Sequence, residues 1–211
     1  MPWPMVHFAI ASNLFKGEPS PDFLLGSISP DAIHVRGDIS REEKGSTHLV
    51  SNGKLPNEEV ILHNCKDYFS MRREIEWKNI VSGYFSHIYA DLRWTDTVYA
   101  DFERAYEGEL EHIRNTYTVE VSQLEFLLMK SMKNTEEILT SLKIAKGFSI
   151  EPFVTGQEVE QYREQKISWL RDGQNEPCIT PIYFPIEKVQ HFIDQTSMEL
   201  KELCINWGDC V

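Results

Sequence analysis

The chain has 211 residues, 41% of them hydrophobic and 26% charged, enough for one well-buried core with no composition shift that demands a second domain. Thirty-three acidic against 21 basic residues give a net charge of −12, a field that repels long nucleic acids and anionic membrane surfaces and leaves small molecules as the expected substrates. No apolar run approaches the roughly 18 to 20 residues of a membrane span, and the N-terminal MPWPMVHFAI has neither a basic segment nor a cleavage site, so a cytoplasmic protein without stable membrane association is expected.

The segments read helical from one end to the other. Expected helices are 4–16, 20–28, 57–75, 77–93, 96–107, 119–146, 155–172 and 185–206, with no alternating strand pattern. Ser20-Pro21-Asp22 and Ser29-Pro30-Asp31 each look like an N-cap followed by proline at the first helical position. Asn134 with Glu137, and Thr155 with Glu158, fit capping boxes, and Gly147 and Gly173 sit where C-terminal caps belong. Residues 35–56, polar and glycine-containing, are expected to be irregular, and connections of that length are usually functional or mobile. Cys65, Cys178, Cys204 and Cys210 have no zinc-ribbon spacing and are expected as reduced thiols. The expected fold class is all-α, a single-domain multi-helix bundle.

The chemistry concentrates in GYFSHIYAD, residues 83–91. From Trp77 the apolar residues fall at Trp77, Ile80, Val81, Tyr84, Phe85, Ile88, Tyr89 and Leu92, the period of a helix with one broad buried face. At about 100° per residue, Asp91 projects between Ile80 and Tyr84 inside that face, and His87 lies on its flank. A buried carboxylate costs several kcal/mol unless it is paired, hydrogen-bonded or bound to a cation. Histidine and aspartate at i and i+4 share one helix face and can ligate one metal ion. Other polar residues interrupt apolar surroundings: His7 in PMVHFAI, Asp31 and His34 in SISPDAIH, and His48 in the 35–56 stretch. Imidazole and carboxylate donors suit zinc or manganese better than calcium.

Taken in order, Trp3-x-x-x-His7, PDAIH at 30–34, Thr47-His48 and GYFSHIYAD at 83–91 resemble the bacterial zinc-dependent phospholipase C family, itself related to single-strand-specific zinc nucleases. The resemblance covers residues 3 to 95 and implies an all-helical fold of that type. It implies that Asp31, His48, His87 and Asp91 hold one zinc, that Asp91 bridges to a second held by His7, and that His34 is a further possible ligand. Two departures reduce the expected number of ions to one or two. Leu92 to Val98 lacks the histidine the family uses for a third zinc, and neither His112 nor His191 supplies its pattern. Trp3, whose amine is a ligand in the secreted relatives, here stands behind Met1-Pro2.

Two other metal-dependent helical classes lose a required part. An HD-type phosphohydrolase needs an adjacent His-Asp pair, and a ferritin-like di-iron protein needs two Glu-x-x-His motifs; Glu109-Leu-Glu-His112 is the only one and reads as a solvated acidic face. The expectation is therefore a zinc-dependent hydrolase of a small phosphate ester, with manganese, iron or nickel as alternative ions. A metal-activated water would be the nucleophile, with Asp31 and Asp91 as the catalytic carboxylates. The residues from 96 onward would serve as lid or pocket. The alternative of a different class is a non-enzymatic helical module tied together by a structural metal or by a buried His/Asp network.

Overall fold

Two glycines let two helices meet backbone to backbone. In the computed structural model, which describes residues 3–207 and side chains as far as Leu203, helix α2 (Pro21–Gly26) lies directly on helix α5 (Ile75–Trp94). A methyl group at Gly26 would run into the backbone carbonyl of Ile80, and one at Gly83 into that of Phe23. Only hydrogen at both positions lets the two backbones meet, and this approach brings the carbonyl at the end of α2 to the inner face of α5.

The other elements wrap this pair. Helix α1 (Pro4–Leu14) precedes α2, and a 3₁₀ segment, Ser29–Arg36, follows it. Helix α3 (Arg41–Thr47) lies on that segment, and α4 (Glu58–Met71) leads back antiparallel to α5. Helix α5 does not stop at Trp94. It passes through a π-helical turn, Thr95–Tyr99, into α6 (Ala100–Ala105). Helices α7 (Ile113–Ser131), α8 (Thr135–Ile144), α9 (Gly156–Arg171) and α10 (Ile186–Trp207) complete the all-helical fold. Among the described residues there is no strand, only the isolated bridges Ser51 with Lys54 and Ile150 with Val154. No described helix is long and apolar enough to cross a membrane. Helix α1 packs on α7 and α10, α2 on α8, and α9 on the 3₁₀ segment, so the C-terminal helices close over the N-terminal ones.

Several boundaries follow the local chemistry read from the sequence. Ser20 Oγ accepts from the Phe23 amide at 3.2 Å, and Thr155 with Glu158 forms a reciprocal capping box. Elsewhere the structure corrects the expectation. The 35–56 stretch is not irregular throughout, because Ser40 and Glu43 form a second capping box that starts α3. Residues 119–146 are two helices, broken at Met132, whose backbone is extended. Asn134 does not cap α8 with its side chain, which instead donates to Ser12 Oγ and the Gly17 carbonyl. Ser29 is not an N-cap: it sits inside the 3₁₀ segment and its hydroxyl donates to the Leu25 carbonyl. Gly147 and Gly173 are not left-handed C-caps; α8 ends at Ala145 and α9 at Asp172, both with extended backbone. The segments 77–93 and 96–107 are one continuous rod rather than two helices. The side chains of Cys204 and Cys210 lie outside the described residues, while Cys65 is a buried thiol and Cys178 an exposed one.

Alanine at an exposed helical glycine usually stabilises by about 1 kcal/mol, yet at Gly83 the added methyl meets backbone that cannot move aside. Gly83→Ala is expected to destabilise by about 3 kcal/mol in urea unfolding, the upper range for overpacking. An unchanged or raised midpoint would show that α2 and α5 do not meet as described.

Candidate metal centre

The end of α2 supplies the first fixed point. The carbonyl of Ser27 accepts a 2.8 Å hydrogen bond from His87 Nδ1. A carbonyl can only accept, so the ring proton resides on Nδ1 and the Nε2 lone pair of His87 faces the interior. His48, at the C-terminal end of α3, is held in the same tautomer. Thr47 Oγ1 gives its one hydrogen to the Lys44 carbonyl, so toward His48 Nδ1, 2.9 Å away, the hydroxyl can only accept. The Lys44 carbonyl, 3.2 Å from the same nitrogen, also only accepts. His48 Nε2 is therefore a bare lone pair as well. From α5, the Tyr84 hydroxyl donates to the Thr47 carbonyl at 2.6 Å and fixes the end of α3 against the cluster.

These two nitrogens face one another at 3.2 Å, an arrangement that repels unless a shared proton or a metal ion lies between them. Two carboxylates complete the enclosure. Asp91 Oδ2 stands 3.4 Å from His48 Nε2 and 3.5 Å from His87 Nε2, and Asp31 Oδ1 stands 3.6 Å from His48 Nε2. A tetrahedral ion bound at about 2.0 to 2.2 Å has donors about 3.3 to 3.6 Å apart, close to each of these four edges. Asp91 is wholly buried, and neither of its oxygens has a hydrogen-bond partner; Asp31 Oδ1 and His7 Nε2 are likewise buried without one. Buried polar atoms are almost always satisfied, so converging orphaned donors fit a metal ion and fit poorly a closed hydrogen-bond network.

His7 comes from α1, stacked on His87 with ring centroids 4.0 Å apart, and its Nε2 lies 3.8 Å from Asp91 Oδ1. Two donor triplets can thus be drawn, Asp31 with His48 and His87, and His7 with His87 and Asp91, each within 4.8 Å. His87 has only one nitrogen to give, because Nδ1 is committed to Ser27. The four-donor set therefore takes it, and Asp91, with one oxygen toward each side, is left as the link to His7. His34 stands apart from both triplets. It is exposed, 3.7 Å from Asp31, at the edge of the cluster. Of the remaining histidines, His63 and His112 are exposed, as are Glu109 and Glu111 beside His112.

The electrostatics keep His7 and His48 neutral beside two ionised carboxylates. Burial, helped by neighbouring His87, pushes the His7 imidazolium down to about 3. Burial lowers His48 too, against the pull of Asp91 and Asp31. For Asp31 and Asp91 burial favours the neutral acid, but positive charge on His87, with a smaller part from His48, outweighs it and holds both carboxyls low. His87 is the exception: burial lowers it, yet Asp91, Asp31 and the Ser27 carbonyl together raise it.

Asp31 is the carboxylate that reaches outward, 14% exposed where Asp91 is at 0%. It opens on a cavity of about 380 Å³ lined also by Trp3, His34, Lys44, Arg114, Tyr117 and Lys166. Tyr162, on the same wall, has its hydroxyl at Asp31, and burial together with that carboxylate keeps its proton on. The C-terminal helices thus supply one side of this cavity. A further residue was not anticipated from the sequence. Trp3 caps α1 without a side-chain bond, and the carboxyl of Glu125, from α7, accepts from the Met5 amide at 3.1 and 3.2 Å instead. It anchors the helix that carries His7.

Burial raises Glu125 from 4.5 to about 8, against the Met5 amide and Lys166. The folded state therefore holds this proton more tightly than the unfolded chain. Its contribution to stability is full below 4.5 and is lost as the pH rises through 8. Glu125→Gln, which cannot ionise, is expected to gain stability relative to the parent at about 1.4 kcal/mol per pH unit across that window. Parallel pH profiles of thermal unfolding would refute it. Compared with protein-family models, curated proteins and solved structures, the chain matches none.

Proposed function

We propose that the protein is a metal-dependent phosphoesterase acting on a small phosphate ester, with zinc as the expected ion and manganese, iron or nickel as alternatives. The observation that carries this reading is the convergence of buried donors from Asp31, His48, His87 and Asp91, with the Asp91 oxygens and Asp31 Oδ1 lacking any hydrogen-bond partner, beside a cavity that opens at Asp31. A bound ion would supply a Lewis acid that polarises the ester and lowers the pKa of water at neutral pH. The chain's own groups have separable tasks. Ser27 and Lys44 carbonyls fix the tautomers of His87 and His48. Asp91 holds the interior, with one oxygen turned to His7. Asp31, the carboxylate at the cavity floor, is placed to orient an attacking water, with the Tyr162 hydroxyl as its neighbour.

The resemblance to zinc-dependent phospholipase C in the order of the His and Asp motifs supports the same reading, and the −12 net charge argues against long nucleic acid as substrate. A cytoplasmic location belongs to the proposal; that Cys65 and Cys178 are thiols is compatible with it. One observation favours a second reading. Four protein donors already fit around one ion, and closed four-ligand sites are usually structural. In that reading the ion ties the 3₁₀ segment, α3 and α5 together without catalysis.

Protein loaded with zinc and dialysed is expected to retain one or two ions per chain. His87→Ala or Asp91→Ala should lose them and lower the melting temperature, whereas His7→Ala should cost at most the second ion. The loaded protein should hydrolyse a nitrophenyl phosphate ester, and chelator should abolish turnover. Retained metal without turnover on any ester would establish the structural reading, and metal-free protein after loading would defeat both.

A further inference from the structure

The cavity at Asp31 is basic in an acidic chain. Lys44 from α3, Arg114 from α7 and Lys166 from α9 all line it. Several cations elsewhere are paired with carboxylates, among them Arg36 with Glu158, Arg93 with Glu199 and Lys130 with Glu176. Among the described residues, none of Lys44, Arg114 and Lys166 stands within ion-pairing distance of a carboxylate. In a chain with 33 acids for 21 bases, three cations from three separate segments converge on one opening beside Asp31, a local reversal of the overall charge. Lys166 is also oriented: its ammonium lies 5.7 Å from the Trp3 ring centroid and 5.0 Å from that of Tyr162. Trp3 is itself braced edge-on by Trp169 at 5.4 Å. The rings therefore hold the lysine toward the opening.

Resting on the phosphoesterase reading, we infer that the substrate is a phosphomonoester, recognised as a dianion by Lys44, Arg114 and Lys166, and not a phosphodiester. A monoester carries close to two negative charges at neutral pH, its second pKa being about 6, and offers three oxygens to donors. A diester carries one charge and offers two such oxygens. A guanidinium and two ammoniums match the first, since charge-assisted bonds to phosphate gain most where each donor finds its own oxygen. The cavity of about 380 Å³ is at the small end for ligand sites. Its size suits a phosphorylated small metabolite.

The test pairs binding with turnover. Zinc-loaded and chelator-treated protein are titrated calorimetrically with phenyl phosphate and with methyl phenyl phosphate. Hydrolysis of nitrophenyl phosphate is compared with that of its bis-nitrophenyl diester. The monoester should bind at least about tenfold more tightly, and Arg114→Ala or Lys166→Ala should reduce that preference about tenfold. Arg114 is exposed, so its variant folds even if the loss of two ring contacts unsettles Lys166→Ala. Equal binding of the two esters, a preference that survives both substitutions, or faster hydrolysis of the diester would overturn the inference. Chelator-sensitive diester hydrolysis would leave the phosphoesterase reading standing. Preferential monoester binding without hydrolysis would do the reverse, upholding the recognition and removing the enzyme.

Discussion

Asp91 sits at zero exposure with both oxygens lacking a hydrogen-bond partner, and an ionised carboxylate in that position costs several kcal/mol if nothing compensates it. Each neighbouring element can be understood as part of the compensation. Helix α1 brings His7, the 3₁₀ segment brings Asp31, α3 brings His48, and α5 itself brings His87 one turn earlier. The geometry is tight because two glycines allow α2 to touch α5. That contact sets the Ser27 carbonyl on His87 and commits the ring to a single tautomer. A side chain at either glycine would separate the helices and leave His87 free to turn.

The burial of Asp91 was legible because the apolar period of α5 placed it inside the buried face. The same reasoning applies to Glu125. Val121, Leu124 and Leu128 mark the inner face of α7, and at about 100° per residue Glu125 falls among them. No histidine stands one turn before or after it to mark it as a partner of another group. The break in 119–146 was also written in the chain, since a start signal at Asn134 is inconsistent with one helix running through it. The start of α3 was concealed by composition. REEKGST has no apolar stripe, and its helix is held by the Ser40–Glu43 capping box and by tertiary contacts.

The cationic rim could not have been read from the sequence. Lys44, Arg114 and Lys166 lie on three helices and share no spacing or motif, and each alone reads as solvated surface. Only the path of the chain shows that they converge on one opening. The motif Trp3-x-x-x-His7 was legible, but the part that the tryptophan plays in the fold was not. Its indole braces Lys166, a contact that a pattern of metal ligands does not suggest.

Helix α3 has seven residues, too few to be stable alone in water, and it carries one of the enclosed donors at its very end. It is held to α5 by the hydroxyl of Tyr84. Local opening of so short a segment costs less free energy than unfolding the core. Rocking it outward would withdraw His48 while Asp91, His87 and His7 keep their places. The buried donors therefore have a hinged wall, and exchange of an ion with solvent need not wait for the bundle to come apart.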